Sequence, residues 1–368
     1  MNTIALKNNA PNHKTLVSLF AGCGGSSLGY KAVGFDIRLA VEWDKGAASI
    51  YRDNFPETTL YEGDINKLDV SEVLHLTELR QGELDILDGS PPCQGFSTAG
   101  RRDMGDSRNQ LFNEYIRMLQ GLQPKIFIME NVSGLIKGKM KIMFSEMTRA
   151  LEDSGYKVAC RKLNAWWYGV PQSRERLIWI GIRNDIEGEP LHPQPMLRRP
   201  VSVRQALGIG GITSGWRRDI KQALSNDKWK DTTQPSPTLT GQQPPTVLLD
   251  TNRYNKVQDW HSIAHTLRGH SIPQITHASG YYFLKKAIAN GLSINEPAGA
   301  LVAIRPPTLI KGTSTRDITV EEAKILQSFP SWFRIQEYKY IGNSVPPLMA
   351  QAVGEHMADI LNAVSNHA

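Results

Sequence analysis

From Leu16 to Ile182 short apolar runs alternate with longer amphipathic ones, and this alternation limits what the chain can fold into. Residues 16–20 read as a buried strand, followed by a Gly-rich turn and a helix running to Val33. Strands are expected at 37–43, 84–88, 126–129, 157–163 and 177–182, and helices at 45–54, 110–122 and 141–151. Strands that take turns with helices of this length imply an α/β fold, a largely parallel sheet covered by helices on both faces. Binding and chemistry in such folds gather where the strands end at their carboxyl edge.

The texture changes near Asn184. From there to about Lys311 Pro, Gly, Thr, Gln and His are frequent, periodicity is poor and turn signals are dense, as in Gln243-Pro244-Pro245. A separate loop-rich domain with short strands is the reading. Between Arg183 and Asp317 there are 17 Lys and Arg against 10 Asp and Glu, an excess of seven where the whole chain carries a net +6. The positive field therefore sits on this middle segment, as it would on a module facing a polyanion. Order returns at Thr319, which with Glu322 forms a capping box for a helix over 320–327, and a last helix is expected at 346–363. The domain reading is 1–184, 185–315 and 316–368.

Three cysteines, Cys23, Cys93 and Cys160, form no Cys-x-x-Cys pair, which speaks against a disulfide framework or a structural zinc. His261, His265, His270 and His277 stand without cysteines and read as polar or DNA-facing, so no metal is expected. No apolar run approaches the roughly 20 residues that span a bilayer. A cytoplasmic protein without a membrane partner is the expectation.

Phe20-Ala21-Gly22-Cys23-Gly24-Gly25 follows the first strand and opens a helix, so the backbone can turn tightly against a ligand. Glu42, at the end of the next strand, stands where an acid binds ribose hydroxyls, and Asp64 follows in a third loop. Ser27 departs from the dinucleotide pattern. An adenosine cofactor is indicated, with NAD, FAD and S-adenosylmethionine all open.

Gly89-Ser90-Pro91-Pro92-Cys93-Gln94 lies just past another strand, with two prolines stiffening the approach to the thiol. Glu130 follows four apolar residues, a low-dielectric setting that favours a neutral carboxylic acid. Arg174 and Arg176 alternate in Gln172-Ser173-Arg174-Glu175-Arg176 and are expected to share one face of a strand.

Taken in order, Phe20-x-Gly22-x-Gly24, Glu42, Gly63-Asp64, Pro91-Pro92-Cys93-Gln94, Glu130-Asn131-Val132, Gln172-x-Arg174-x-Arg176 and Gly342-Asn343-Ser344-Val345-Pro346 resemble the cytosine-5 DNA methyltransferase family, in its compact prokaryotic or phage type. The resemblance covers about residues 15–183 and 319–355. It implies a Rossmann-like S-adenosylmethionine-dependent methyltransferase sheet with a smaller, loop-rich target-recognition domain. It also implies a monomer on double-stranded DNA, with a restriction endonuclease of the same site as one further partner, and S-adenosylhomocysteine as product.

By the same resemblance Cys93 adds to C6 of a flipped cytosine and Glu130 serves ring N3. Arg174 holds the base carbonyl and braces the Cys93 loop, and Arg176 braces the site. The implied cofactor residues are Phe20, Gly22, Gly24, Glu42, Trp43, Asp64, Ile65, Leu111, Asn343 and Val345. Gln94, Ser97, Arg101 and Arg102 are the implied DNA contacts, and Thr238-Leu239 and Thr266-Leu267 weaker candidates for base reading. Trp166-Trp167 depart from the family pattern. Three rivals remain: an RNA cytosine methyltransferase acting on tRNA, a catalytically silent DNA-binding regulator, and an NAD-type oxidoreductase.

Overall fold

The structure is a computed structural model. It describes Ile4 and residues 14–92, 110–138, 140–197, 200–208, 297–301, 303 and 314–365, together with the backbone course of short strands at 247–249, 275–277, 282–284, 291–293 and 308–311.

β1 (Thr15–Leu19) is buried throughout and lies inside a seven-stranded sheet. β2 (Asp36–Glu42) and β3 (Thr59–Glu62) pair outward on one side of it, and β4 (Ile86–Gly89) and β5 (Ile126–Val132) on the other, all parallel. The chain thus leaves β1 in one direction and returns on its other flank. That reversal between β1 and β4 opens a crevice at the carboxyl edge. Beyond β5 the order is β8 (Glu175–Arg183), then β6 (Tyr156–Asn164), with β8 antiparallel to both neighbours. This departs from a purely parallel sheet for a simple reason. The link from Asn164 to Glu175 is too short for a crossover helix, so the chain must turn straight back.

Side chains alternate across the sheet. Val17 and Leu19 face a core shared with α3 (Val70–Thr77), α4 (Gln110–Leu122) and α5 (Met140–Asp153). Leu16, Ile86 and Ile128 face α1 (Gly25–Val33) and a long C-terminal helix, Pro347–Ser365. α1 and that helix touch at Gly29, where a Cβ would stand 2.4 Å from the Pro347 carbonyl oxygen. A third cluster joins α2 (Lys45–Asn54) to α6 (Val203–Leu207), α7 (Val320–Leu326) and α8 (Tyr338–Asn343). The C-terminal helix is α9.

Val203, Ala206, Ala298 and Leu301 sit in this third cluster with Ala21 and Leu28, although all four fall inside the 185–315 segment. The two-residue strand Ala298–Gly299 pairs with β7 (Gln172–Ser173). Farther into the middle segment, 282–284, 291–293, 308–311 and 314–317 form a four-stranded antiparallel sheet, and 247–249 pairs with 275–277. Among the described residues no helix is long and apolar enough to cross a membrane.

Candidate active site

Successive loops at the carboxyl edge build the first wall. Phe20 leaves β1 at φ 56° and Gly22 follows at φ 58°. A left-handed Phe is strained, and such strain collects at binding loops. Gly24, at φ 90°, precedes α1; a Cβ there would fall 2.3 Å from Phe55 Cε2, so only glycine fits. Gly25 is equally crowded by the Val345 carbonyl oxygen, which locks the Gly-rich turn against the Asn343–Val345 segment.

Glu42 ends β2 and is almost fully buried. Its Oε2 accepts the Gly22 N–H at 2.7 Å, and its Oε1 the N–H groups of Trp43 and Asp44 at 2.9 and 2.8 Å. Burial pushes this carboxyl up, against the backbone donors that favour its charge. The next residue does the opposite: Trp43 is 76% exposed. Asp64 caps a short turn, Ile65–Lys67, by accepting the Asn66 N–H, which holds its carboxyl below the ordinary range. Ile65 is buried, Leu111 and Val345 half-buried, and Asn343 exposed.

Arg117 on α4 braces this third loop, donating to the carbonyls of Ile65 at 3.0 Å and Leu68 at 2.8 Å. The sequence reading missed it, because a charged residue on an amphipathic helix ordinarily reads as a solvated face.

The second wall is reactive. β4 ends at Gly89, where a Cβ would strike the Tyr115 ring at 2.7 Å. Pro91 is buried, and its carbonyl accepts Asn131 Nδ2 at 3.0 Å. The segment entering Cys93 is thereby tied to the residue after Glu130. Glu130 and Arg176 are diagonal neighbours on β5 and β8, and Arg176 Nε meets Glu130 Oε1 at 2.8 Å, both largely buried.

Arg174 does not share that place. It lies in the break between β7 and β8, 2% exposed, and its guanidinium donates to the carbonyls of Leu301 at 2.8 Å and Gly342 at 3.1 Å. Gln172 extends the same joint, accepting the Leu301 N–H and donating to the Leu326 carbonyl. Trp166 and Trp167 pack edge to face at 6.2 Å, and the Trp167 carbonyl accepts the N–H groups of Met196 and Leu197. That is local packing.

The other two thiols are unsuited to attack. Cys23 is buried against the Tyr340 carbonyl, and burial pushes it and Cys160 each up to about 12. Cys93 itself, with Gln94, Ser97, Arg101 and Arg102, lies outside the described residues, as do His261, His265, His270, Thr238-Leu239 and Thr266-Leu267. Of His277 only the strand backbone is described.

A Rossmann-like sheet with these loops at its carboxyl edge, beside a buried acid and arginine, is the frame of a methyltransferase. The chain matches the family model for C-5 cytosine-specific DNA methylases over residues 14–359, and it belongs to that family. Among its relatives is Type II methyltransferase M.XorII of Xanthomonas oryzae pv. oryzae, 34% identical over 365 residues, which cover 92% of this chain and 83% of the relative. Type II methyltransferase M.DdeI of Desulfomicrobium norvegicum is 30% identical over 377 residues, 93% of this chain and 88% of that one. A crystal structure of a putative DNA modification methyltransferase encoded within an E. coli prophage superposes with a TM-score of 0.64 at 26% identity, covering 95% of this chain and 99% of the other. The S. pombe Dnmt2 methyltransferase, at 17% identity and TM-score 0.55 over 95% and 100% of the two chains, shares the fold.

Proposed function

We propose that the chain transfers a methyl group from S-adenosylmethionine to carbon 5 of a cytosine flipped out of a specific duplex sequence, through a covalent bond between Cys93 and carbon 6. One observation carries this reading. The Asn131–Pro91 hydrogen bond fixes the strand end that leads into Cys93 beside the Glu130–Arg176 pair.

The cofactor wall suits the group. The buried Glu42 carboxylate is preorganised by three N–H donors and has a lone pair left on Oε2 for a ribose hydroxyl. Trp43 offers an open ring for the adenine. Phe20, Gly22 and Gly24 let the backbone approach closely. Asp64, Ile65, Leu111, Asn343 and Val345 complete the wall. When bound, the cofactor supplies an electrophilic sulfonium methyl group.

Carbon 5 of cytosine is a poor nucleophile until a thiolate adds at carbon 6. Cys93 supplies that thiolate, in keeping with the unreactive state of Cys23 and Cys160. Glu130 gives a proton to ring N3, so charge does not build up there. The arginine that holds the base carbonyl is Arg176, which already touches Glu130, whereas Arg174 braces the site through Leu301 and Gly342. Loss of the carbon-5 proton and elimination of Cys93 then restore the ring. Flipping costs a few kcal/mol. Gln94, Ser97, Arg101 and Arg102 contact the strand as the Cys93 loop closes.

The recognition module we assign is narrower than 185–315. Its flanks at 203–207 and 298–301 pack with the catalytic core, so the reading surface lies between them. We place the enzyme in the cytoplasm as a monomer. Its relatives' Type II names support a role in modification paired with a restriction endonuclease.

Bisulfite sequencing of DNA from cells expressing the enzyme tests this function. Protected cytosines within one short motif are expected, and none with Cys93→Ala. Unprotected DNA alongside methylated tRNA would overturn the assignment to DNA.

A further inference from the structure

Asp88 takes no part in the mechanism above, yet it is a carboxyl 3% exposed, one residue before Gly89. Its Oδ1 accepts the Tyr30 hydroxyl at 2.9 Å; its Oδ2 accepts Ser26 Oγ at 3.1 Å and Ser18 Oγ at 3.2 Å. In the β4–β5 register Asp88 stands opposite Ile128, and Glu130 is two residues farther along β5. Both carboxyls therefore face the same side of the sheet. There they line one cavity with Ser26, Tyr30, Ile178 and Met349. The cavity is about 10 Å³, the size at which a single water just fits, and the two carboxyls in its lining are partners for that water.

Glu130 is engaged in an ion pair with Arg176, whereas the proposed reaction asks it to deliver a proton. Two buried carboxyls on one small cavity resist being charged together. While Arg176 is paired with Glu130, a proton in this cavity is best held at Asp88.

We propose that Asp88 is a positioning residue for catalysis: it shares one proton with Glu130 through a water in the cavity and holds that proton while Glu130 is paired with Arg176. This rests on the methyltransfer reading. When the cytosine enters and Arg176 turns to its carbonyl, Asp88 gives its proton to the water. The water gives one of its own to Glu130, and Glu130 protonates N3; the nearby Arg176 offsets the charge left on Glu130, and the three hydroxyl donors that on Asp88. Elimination of Cys93 returns the proton along the same path. The carbon-5 proton leaves separately, and no electrons change hands.

The electrostatics agree. Burial pushes the Asp88 carboxyl up to about 6, with the Glu130 charge adding to the effect and the three hydroxyls opposing it. The other titratable groups around it are Tyr30 on α1, Tyr51 on α2 and Tyr115 on α4, all kept neutral because burial pushes each phenol up. A proton donor is lost as pH rises through its own value. The rate is therefore expected to carry an alkaline limb set by the Asp88 carboxyl.

The test is the single-turnover rate of methyl transfer against pH for wild type, Asp88→Asn and Tyr30→Phe, with saturating DNA and cofactor. Wild-type activity secures the methyltransfer reading first. Asp88→Asn is expected to slow transfer about tenfold or more and to lose the limb, since an amide stores no acidic proton. Tyr30→Phe removes a hydrogen bond that favours the charged carboxyl, so its limb moves to higher pH. A purely structural role would lower the amplitude without moving the limb. An active wild type whose limb stays in place in both variants would overturn the proposal. If Asp88→Asn fails to fold, Tyr30→Phe decides alone.

Discussion

Trp43 holds its indole three-quarters in solvent beside the buried Glu42. Because nothing in the core rests on it, Trp43→Ala should leave stability within about 0.5 kcal/mol. Its loss should weaken S-adenosylmethionine binding by roughly tenfold to a hundredfold, the value of one base-on-aromatic stack. Calorimetric titration beside urea unfolding checks both parts, and an unchanged affinity would remove Trp43 from the site. The place of Glu42 and Glu130 on strands was legible in the sequence, because each follows an apolar run. The different surroundings of Arg174 and Arg176 were not. Alternation would put both on one face, but the strand breaks at Arg174, which bonds to carbonyls far away in sequence. Asp88 was equally hidden, since its partners come from β1 and α1 and nothing local marks it.

Elements with long periodic patterns were the easiest to read. α2 and α4 run over 45–54 and 110–122, as their amphipathic faces require. β3 and α3 went unread, because β3 is four partly exposed residues without alternation and α3 a single short turn pair after it. The capping box at α7 was local chemistry and therefore visible. Thr319 Oγ1 accepts the Glu322 N–H at 3.1 Å and Glu322 Oε2 the Thr319 N–H at 2.9 Å. α7 leads directly into Gln327, whose side chain donates to the Ser344 carbonyl beside the cofactor wall. Thr319→Ala should cost ~1 kcal/mol, read as a lower urea midpoint with unchanged slope. An unchanged midpoint would mean that tertiary packing alone holds the helix.

At the scale of the whole molecule, the strand reversal beside β1 gathers the loops after β1, β2 and β3 and the entry to Cys93 at one edge of one sheet. α9 returns across α1 to press the Val345 carbonyl onto the Gly-rich turn, and no local pattern announces a contact that spans most of the chain. The charge excess of 183–317 was countable from composition, whereas the packing of 203–207 and 298–301 with the third cluster was not.

The central claim is that Cys93 attacks carbon 6. Duplex DNA with 5-fluorocytosine at every cytosine position tests it whichever sequence is the target, because fluorine cannot leave carbon 5 as a proton does and the adduct cannot resolve. With S-adenosylmethionine present, the enzyme should form a denaturant-resistant protein–DNA adduct, mapped by peptide mass to Cys93 and absent in Cys93→Ser. An enzyme that methylates ordinary DNA yet forms no adduct, or forms one at another residue, would contradict the account.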